Sequence, residues 1–178
     1  TKYPVFLVID PAGHVVDKRR IGLGGLAGFQ PSIVATGPKS AVALIRRLKG
    51  NTPAMMMSRT DDAGQTWSVA TATNLPNPGG AVSAVLFETD QILLAFNDNP
   101  ESETDITLAI SDLDGKKWRR IGVLASQTGE TTSVKLAYPY LIETQPGVYD
   151  VVFSQKPNRS IRHIRLSNDW IHQQLNKS

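Results

Sequence analysis

The sequence predicts an all-β fold, because short apolar and β-branched runs recur along the chain and turn residues separate them. Gly, Pro, Asn and Asp bound these runs, and few segments show the spacing of an amphipathic helix. The run SAVALIRR, from Ser40 to Arg47, has a pattern that a helix would also show. Turn residues flank it on both sides, so we interpret it as a strand. The pattern predicts about thirteen strands in total.

The first predicted unit is a β-hairpin within residues 1–21. A run from Tyr3 to Asp10 leads into Pro11-Ala12-Gly13, in which proline fixes φ and glycine supplies a positive φ. The run from Val15 to Ile21 then returns antiparallel to the first. We interpret this hairpin as part of a sheet that precedes the repeats described next.

After the hairpin, a series of four runs repeats along the chain. It occupies residues 29–74 and 81–124, and a third, incomplete copy occupies residues 136–168. The segments VLFETDQILLAF, from Val85 to Phe96, and YLIETQPGVYDVVF, from Tyr140 to Phe153, share an apolar run, Glu-Thr, a turn and a second apolar run. A four-stranded antiparallel unit repeated in this way is typical of a β-propeller blade.

We therefore predict a single domain, residues 1–178, that forms a partial β-propeller with about three blades of a six-bladed ring. Such a part of a ring exposes strand edges and blade faces. We expect the chain to belong to a longer parent propeller, or to pair with a second copy as a homodimer. The C-terminal end, from Trp170 to Ser178, is expected to form a final turn or to fray.

Composition excludes several kinds of site. The chain has no cysteine, which removes disulfides, thiol catalysis and sulfur-ligated zinc. Its histidines, His14, His163 and His172, show no ligand spacing, so we predict no metal site and no cofactor.

The net charge is +3 and the basic clusters lack a nucleic-acid-reading motif, so no nucleic-acid partner is predicted. No apolar run is long enough to span a membrane, and the compartment is undetermined, a periplasmic or secreted parent protein being compatible.

The segment SRTDDAGQTW, from Ser58 to Trp67, carries the most informative pattern in the chain. It fits a turn between the third and fourth strands of a blade, with Thr60 at its start. Asp62 can accept hydrogen bonds from the turn's own backbone amides, and Gly64 supplies a conformation that a Cβ would resist. Trp67 then buries a large ring between neighbouring sheets.

A second copy of this pattern, SDLDGKKW, ends at Trp118. It keeps Ser111, Gly115 and Trp118, but Leu113 stands where the first copy has its aspartate. The tryptophans of the two copies are about 50 residues apart, which is the length of a four-stranded blade. We interpret the second copy as a degenerate form of the first.

Both copies resemble the Asp box, S/T-x-D-x-G-x-T-W, of the sialidase-like BNR-repeat proteins, and the first copy matches it at every defined position. From about Phe29 to Leu166 the chain resembles the C-terminal half of bacterial exo-α-sialidase-like members of that family. Seven segments follow the family's order: Gln30-Pro31-Ser32, Ile45-Arg46, Ser58-Arg59 with its box, Leu75-Pro76-Asn77-Pro78-Gly79, Phe96-Asn97, Ala137 to Ile142, and Asn158 to His163.

The resemblance implies a glycoside hydrolase, or a related carbohydrate-active propeller, that acts on an anionic glycan. In that family an arginine cluster holds a carboxylate, and a tyrosine nucleophile works with a glutamate. The matching tyrosine is Tyr138; Glu130 is assigned as its partner, with Glu143 as the alternative. The Asp boxes are implied to be structural and to lie away from the ligand. The implied substrate-binding residues are Gln30, Arg46, Arg59, Asn77, Asn97 and Arg159.

Departures from the family pattern keep a second function open. Gly79-Gly80-Ala81 replaces an Asn-Ser-Gly, and Glu101-Ser102-Glu103 replaces a Gly-Arg. For each candidate residue, a structural hydrogen bond at a strand end is the competing interpretation. The alternative is therefore a non-catalytic propeller that binds glycan or protein, and a purely structural module is a third reading.

Overall fold

The structure, a computed structural model, describes residues 3–48, 53–127, 135–156 and 159–177. Within these residues it forms thirteen strands and one helix, and all strand pairs are antiparallel. The all-β prediction is confirmed. The ambiguous apolar run is a strand, Ala41–Arg47.

The chain begins with a two-stranded hairpin of β1 (Val5–Ile9) and β2 (Val15–Arg20). The side chain of Asp10 closes its turn: Oδ1 accepts hydrogen bonds from the backbone N–H groups of Ala12 at 2.9 Å and His14 at 2.8 Å. This is the local bonding that makes aspartate a frequent turn residue. The hairpin is held on the next sheet through its aromatic residue, as described with the site below.

Two four-stranded sheets follow, each a meander in which consecutive strands are neighbours. The first sheet contains β3 (Gly28–Ala35), β4 (Ala41–Arg47), β5 (Ala54–Thr60) and β6 (Thr71–Pro76). The second sheet contains β7 (Ser83–Phe87), β8 (Gln91–Phe96), β9 (Asp105–Asp112) and β10 (Arg119–Ser126).

The third sheet has three strands, β11 (Lys135–Gln145), β12 (Val148–Lys156) and β13 (Ser160–Ser167). In all three sheets the first strand lies innermost, since β7 contacts β3 on one side and β11 on the other. The sheets are therefore stacked around a common axis as blades, and the chain is a partial β-propeller.

A recurring side-chain contact ties each inner strand to the next. Ser32 Oγ accepts a hydrogen bond from the backbone N–H of Ala84 at 3.0 Å. One blade further, Ser83 Oγ accepts one from the backbone N–H of Leu141 at 2.9 Å. The strand registers place Ser32, Ser83 and Tyr140 at the same position of their blades, because they pair with Leu44, Ala95 and Val152 respectively.

The core lies between the sheets. Central strands are covered on both faces, so β4 is apolar and fully buried from Val42 to Ile45 rather than alternating. Burial on both faces explains why the sequence of β4 lacks the alternation of apolar and polar residues that is typical of a half-buried strand. One apolar cluster joins the first and second sheets through residues such as Trp118 and Phe96, and another joins the second and third through residues such as Phe87 and Phe153.

The C-terminal end is a helix, α1 (Asn168–Leu175), and the expectation of a turn or frayed end is wrong. Ser167 is its N-cap and accepts a hydrogen bond from the backbone N–H of Trp170 at 3.2 Å. Ile171 is fully buried in the cluster between the second and third sheets, with Leu175 packed against it one turn later. The N-cap and the i, i+4 apolar pair both favour the helix, and the packing of Ile171 anchors it on the sheets.

Candidate functional site

Antiparallel pairing brings most of the predicted site residues to one end of the blades. We call the end at which β3, β7 and β11 begin the upper end, and the opposite end the lower end. Residues at the start of an inner strand lie opposite residues at the end of the second strand, as Phe29 lies opposite Arg46. The upper end therefore collects Gln30, Arg46, Asn77, Asn97, Tyr138 and Arg159.

Arg46 is a cation at the upper end that contacts hold on several sides. Its Nη1 donates a hydrogen bond to Gln30 Oε1 at 2.6 Å, and its Nη2 donates one to the backbone carbonyl of Gly79. The guanidinium lies 4.4 Å from the ring centroid of Phe29, within cation–π range. Its Nε is buried and has no hydrogen-bond partner among the residues that the structure describes. The guanidinium is thus oriented, with an unused donor.

Asn77 and Asn97 are both fully buried and both tie loops to strands. Asn77 Oδ1 accepts from the backbone N–H of Gly79 at 2.9 Å, and its Nδ2 donates to the carbonyl of Gly80 at 3.0 Å. Asn97 Nδ2 donates to the carbonyl of Leu136 at 2.8 Å, which joins the second blade to the third. These contacts hold the loops of the upper end in place. The two amides are therefore used within the fold and are not exposed to a ligand.

Glu103 is an acidic residue at the upper end that the sequence did not single out as a site residue. A Cβ at Gly80 would lie 2.1 Å from Asn97 Oδ1 and 3.4 Å from Glu103 Cγ, so a glycine is needed where these groups meet. Glu103 Oε1 is 3.4 Å from Lys135 Nζ, and the glutamate side chain is 19% exposed. Because Glu103 lies in a polar loop, no local sequence pattern indicated that it would lie close to Asn97.

Tyr138 lies in β11 with its side chain 59% exposed, and its hydroxyl makes no hydrogen bond to any residue in the described ranges. Its assigned partner, Glu130, lies outside the described residues. The alternative partner, Glu143, is five residues further along β11, about 15 Å away, where its Oε1 accepts from the backbone N–H of Gly147 at 2.9 Å. Glu143 therefore belongs to the turn after β11, and the structure does not bring it to Tyr138.

Arg159 precedes β13 at the upper end and is exposed, with φ at 48°. Arg59, by contrast, pairs with Val42, four residues along β4 from Arg46, a rise of about 13 Å. Its Nη2 lies 3.0 Å from Asp61 Oδ1, and this carboxylate raises the pKa of Arg59. The structure thus separates Arg59 from the other predicted substrate-binding residues.

The turn from Thr60 to Trp67 lies at the lower end and is organised by Asp62. Its carboxylate accepts hydrogen bonds from the hydroxyl of Thr66 at 2.6 Å, from the Thr66 backbone N–H at 2.8 Å, and from the hydroxyl of Thr60 at 2.8 Å. Chiefly because of the Thr66 hydroxyl, the pKa of Asp62 is lowered to about 2. The carboxylate therefore stays ionised and bonded within its own turn.

The same turn docks the N-terminal hairpin. Gly64 has φ at 81°, and a Cβ there would lie 2.4 Å from the ring of Phe6, so the glycine is required twice over. The Phe6 and Trp67 ring centroids are 5.4 Å apart. In the second copy, Trp118 is buried, its Nε1 donates to the carbonyl of Gly115 at 2.8 Å, and Ser111 is also buried. Leu113 packs against the apolar cluster in place of a bonded aspartate.

No group of three or more metal-ligating side chains comes together in the described part of the chain. The single helix among these residues is also too short and too polar to cross a membrane. The upper end thus presents the oriented guanidinium of Arg46, the exposed amide of Gln30, the exposed phenol of Tyr138 and several half-buried carboxylates, those of Asp98, Glu103 and Asp105 among them.

Comparison with known proteins identifies the family. The family model described as the BNR repeat-like domain matches residues 1–151, most of the chain. The chain belongs to this family. A comparison with curated proteins found no match.

Solved structures share the fold. A protein of unknown function from Dyadobacter fermentans superposes with a TM-score of 0.67 at 18% identity, over 89% of this chain and 43% of its own. The α-L-arabinanase of Penicillium chrysogenum, solved with arabinobiose, gives 0.56 at 18% identity, over 79% and 46%. A Hadza microbial sialidase gives 0.57 at 15% identity, over 88% and 36%. The BNR-repeat chain thus spans less than half the length of each of these proteins.

Proposed function

We propose that this chain contributes the upper end of its blades to a carbohydrate-active propeller, and that Arg46 contacts an anionic group of the glycan. The observation that carries the proposal is the oriented guanidinium of Arg46, held by Gln30, Gly79 and the Phe29 ring with an unused buried donor. A guanidinium held in one orientation recognises a carboxylate at low entropic cost.

The comparisons support a carbohydrate ligand without specifying which one. Similar folds in an arabinanase, arabinofuranosidases and a sialidase show that this blade arrangement is used by glycoside hydrolases. Because function belongs to sites rather than folds, the ligand has to be argued from the upper end itself. There, Arg46 favours an acidic sugar over a neutral one.

Calorimetric titration of the full chain tests this proposal. Glucuronic acid and N-acetylneuraminic acid are the anionic probes, and arabinobiose is the neutral probe. We expect an anionic probe to bind more tightly, and Arg46→Lys to weaken it about tenfold or more, because lysine lacks the planar fork. Arg59→Lys, at the lower end, is the matched control and should leave the affinity unchanged. Equal losses in both variants, or no binding of any probe, would contradict the proposal.

A non-catalytic binding function is the second candidate, and the isolation of Tyr138 favours it. A tyrosine nucleophile needs a base or charge partner within hydrogen-bond reach, and the Tyr138 hydroxyl has none among the described residues. Turnover of a fluorogenic glycoside of the bound sugar, abolished in Tyr138→Phe, would establish hydrolysis. Tight binding without turnover would establish the binding function.

A further inference from the structure

The third blade lacks the outer strand that the other two blades have. In the first two blades the third strand pairs antiparallel with a fourth, β5 with β6 and β9 with β10. The third blade ends with its own third strand, β13, which pairs with β12 on one side. Its other edge has no strand partner among the residues that the structure describes. The backbone along that edge is therefore a template on which another strand can pair.

The edge of β13 is regular, unlike the outer edges of the other two blades. β13 pairs with β12 over its whole length, Ser160–Ser167, without a shift in register. By contrast, β6 pairs with β5 across a shift and ends in Pro76, and β10 pairs with β9 across two shifts. Bulges and prolines protect a sheet edge from further pairing. β13 has neither, so its edge remains suited to an added strand.

The C-terminal helix α1 does not take the place of the missing strand. Arg119 Nη1, at the start of β10, donates a hydrogen bond to the carbonyl of Leu175 at 2.9 Å. The Trp170 ring lies against Gly122 of β10, where a Cβ would be 3.5 Å from Cη2. The helix thus fills the gap between the second and third blades. Because helical N–H and C=O groups bond mainly within the helix, α1 offers no ladder of hydrogen bonds to β13.

The side chains of β13 give this edge a positive charge. Arg162 is exposed, with its guanidinium 5.5 Å from the ring centroid of Phe153. On the opposite face of the sheet, the exposed side chains of His163 and Arg165 lie 2.7 and 2.9 Å from Asp150 Oδ1. Both oxygens of Asp150 already accept hydrogen bonds. An added strand therefore meets basic side chains on both faces.

The same charge decides against pairing with the basic strands of a second copy. Two β13 edges would place arginines close to one another, and like charges directly opposite destabilise a strand pair. The hairpin strand β2 ends in Lys18-Arg19-Arg20, and β10 begins with Arg119-Arg120. Charge complementarity instead favours a strand that carries carboxylates.

We propose that the edge of β13 is a docking site for an extended acidic segment of a partner protein, which adds to the third blade as a fourth, antiparallel strand. Main-chain hydrogen bonds supply the affinity, and the alternating side chains supply the selectivity. Carboxylates of the segment pair with Arg162 on one face and with His163 and Arg165 on the other. An aliphatic side chain covers Ile161, which is 71% exposed. This docking site is independent of the sugar binding proposed for the upper end.

Titration of the full chain with a peptide tests the proposal. The probe is an eight-residue peptide, blocked at both ends, with glutamate opposite Arg162, His163 and Arg165 and with valine or threonine elsewhere. A second peptide has lysine in place of each glutamate. We expect the glutamate peptide alone to bind in calorimetry, less tightly at higher salt, and to slow amide hydrogen exchange in β13.

Two charge reversals locate the binding. Arg162→Glu should weaken binding of the glutamate peptide about tenfold, because it replaces an attractive pair with a repulsive one. Lys18→Glu makes the same change of charge at an exposed residue of the hairpin. It is the matched control and should leave the affinity unchanged.

Several results would overturn the docking site. They are equal affinity for the two peptides, an equal loss in Lys18→Glu, hydrogen exchange in β13 that the bound peptide does not slow, and no binding of the glutamate peptide at millimolar concentration. A dimer in sedimentation, with the amides of β13 protected on dimerisation, would assign the edge to a second copy and would also overturn the proposal.

Discussion

The second and third blades present the same strand positions on the same side, but with opposite chemistry. In the second blade, Leu93, Ala95, Leu108 and Ile110 face the third blade and are buried in an apolar cluster. The strand registers align these four positions with four residues on the outward face of the third blade. These residues are mostly polar: Asp150, Val152, His163 and Arg165.

The outward face is held by hydrogen bonds instead of apolar contact. Asp150 accepts from Arg165 Nε at 2.9 Å, from the Thr144 hydroxyl at 2.7 Å and, at 2.7 Å, pairs with His163 Nε2. Tyr140, at the position where the earlier blades have a bonded serine, is 61% exposed. Repeats of one sequence pattern can thus build either an apolar or a polar blade face.

The largest test of this contrast exchanges the two chemistries. Leu93→Asp places in the second blade the residue that the third blade carries at Asp150. Because the carboxylate would be buried without a partner, we expect a loss of about 4 kcal/mol or more in the free energy of unfolding, measured by urea denaturation. Asp150→Leu, the reverse exchange, should cost far less. Similar losses of unfolding free energy in the two variants would show that the two blade faces do not differ in burial.

A smaller loss of stability is expected when the hydrogen bond between the inner strands of neighbouring blades is removed. Ser83→Ala removes the acceptor for the buried backbone N–H of Leu141 and should cost about 1 to 2 kcal/mol in urea denaturation. The matched variant at the exposed equivalent position, Tyr140→Ser, should change the stability by less than about 0.5 kcal/mol. A loss in Tyr140→Ser as large as that in Ser83→Ala would mean that this face is buried in solution.

The smallest effect is a pH dependence confined to the polar face. Arg165, then Thr144 and His163, lower the pKa of Asp150 below its ordinary value of 3.8. A depressed folded-state pKa contributes stability above the unfolded pKa, and this contribution is lost as the pH falls below about 4. Asp150→Asn should therefore destabilise the chain more at pH 6 than at pH 2.5. Thr144→Val, which removes one donor, should show a weaker version of the same difference.

Much of the fold follows from the sequence, and the reasons are local. Turn residues and apolar runs predicted the strands, and the repeat predicted the blades, because strand spacing and turn chemistry are properties of short segments. The C-terminal helix was missed, although Ser167 and the Ile171–Leu175 spacing carried its signal, because the segment is short. The arrangement of the predicted site residues follows less from local sequence: Arg59 and Glu143 lie away from the upper end, and the proximity of Glu103 to Asn97 depends on two loops meeting at Gly80.

What the sequence by itself determined is therefore the blade, its repeat and the turn around Asp62, since each depends on residues close in the chain. Only the tertiary structure decided which faces are buried and which residues share an end. The outward face of the third blade and the interior face of the second have the same strand pattern, and their difference appears only when the registers align Asp150 with Leu93. The grouping of Gln30, Arg46 and Tyr138 likewise depends on stacking distant strands, which no local pattern encodes.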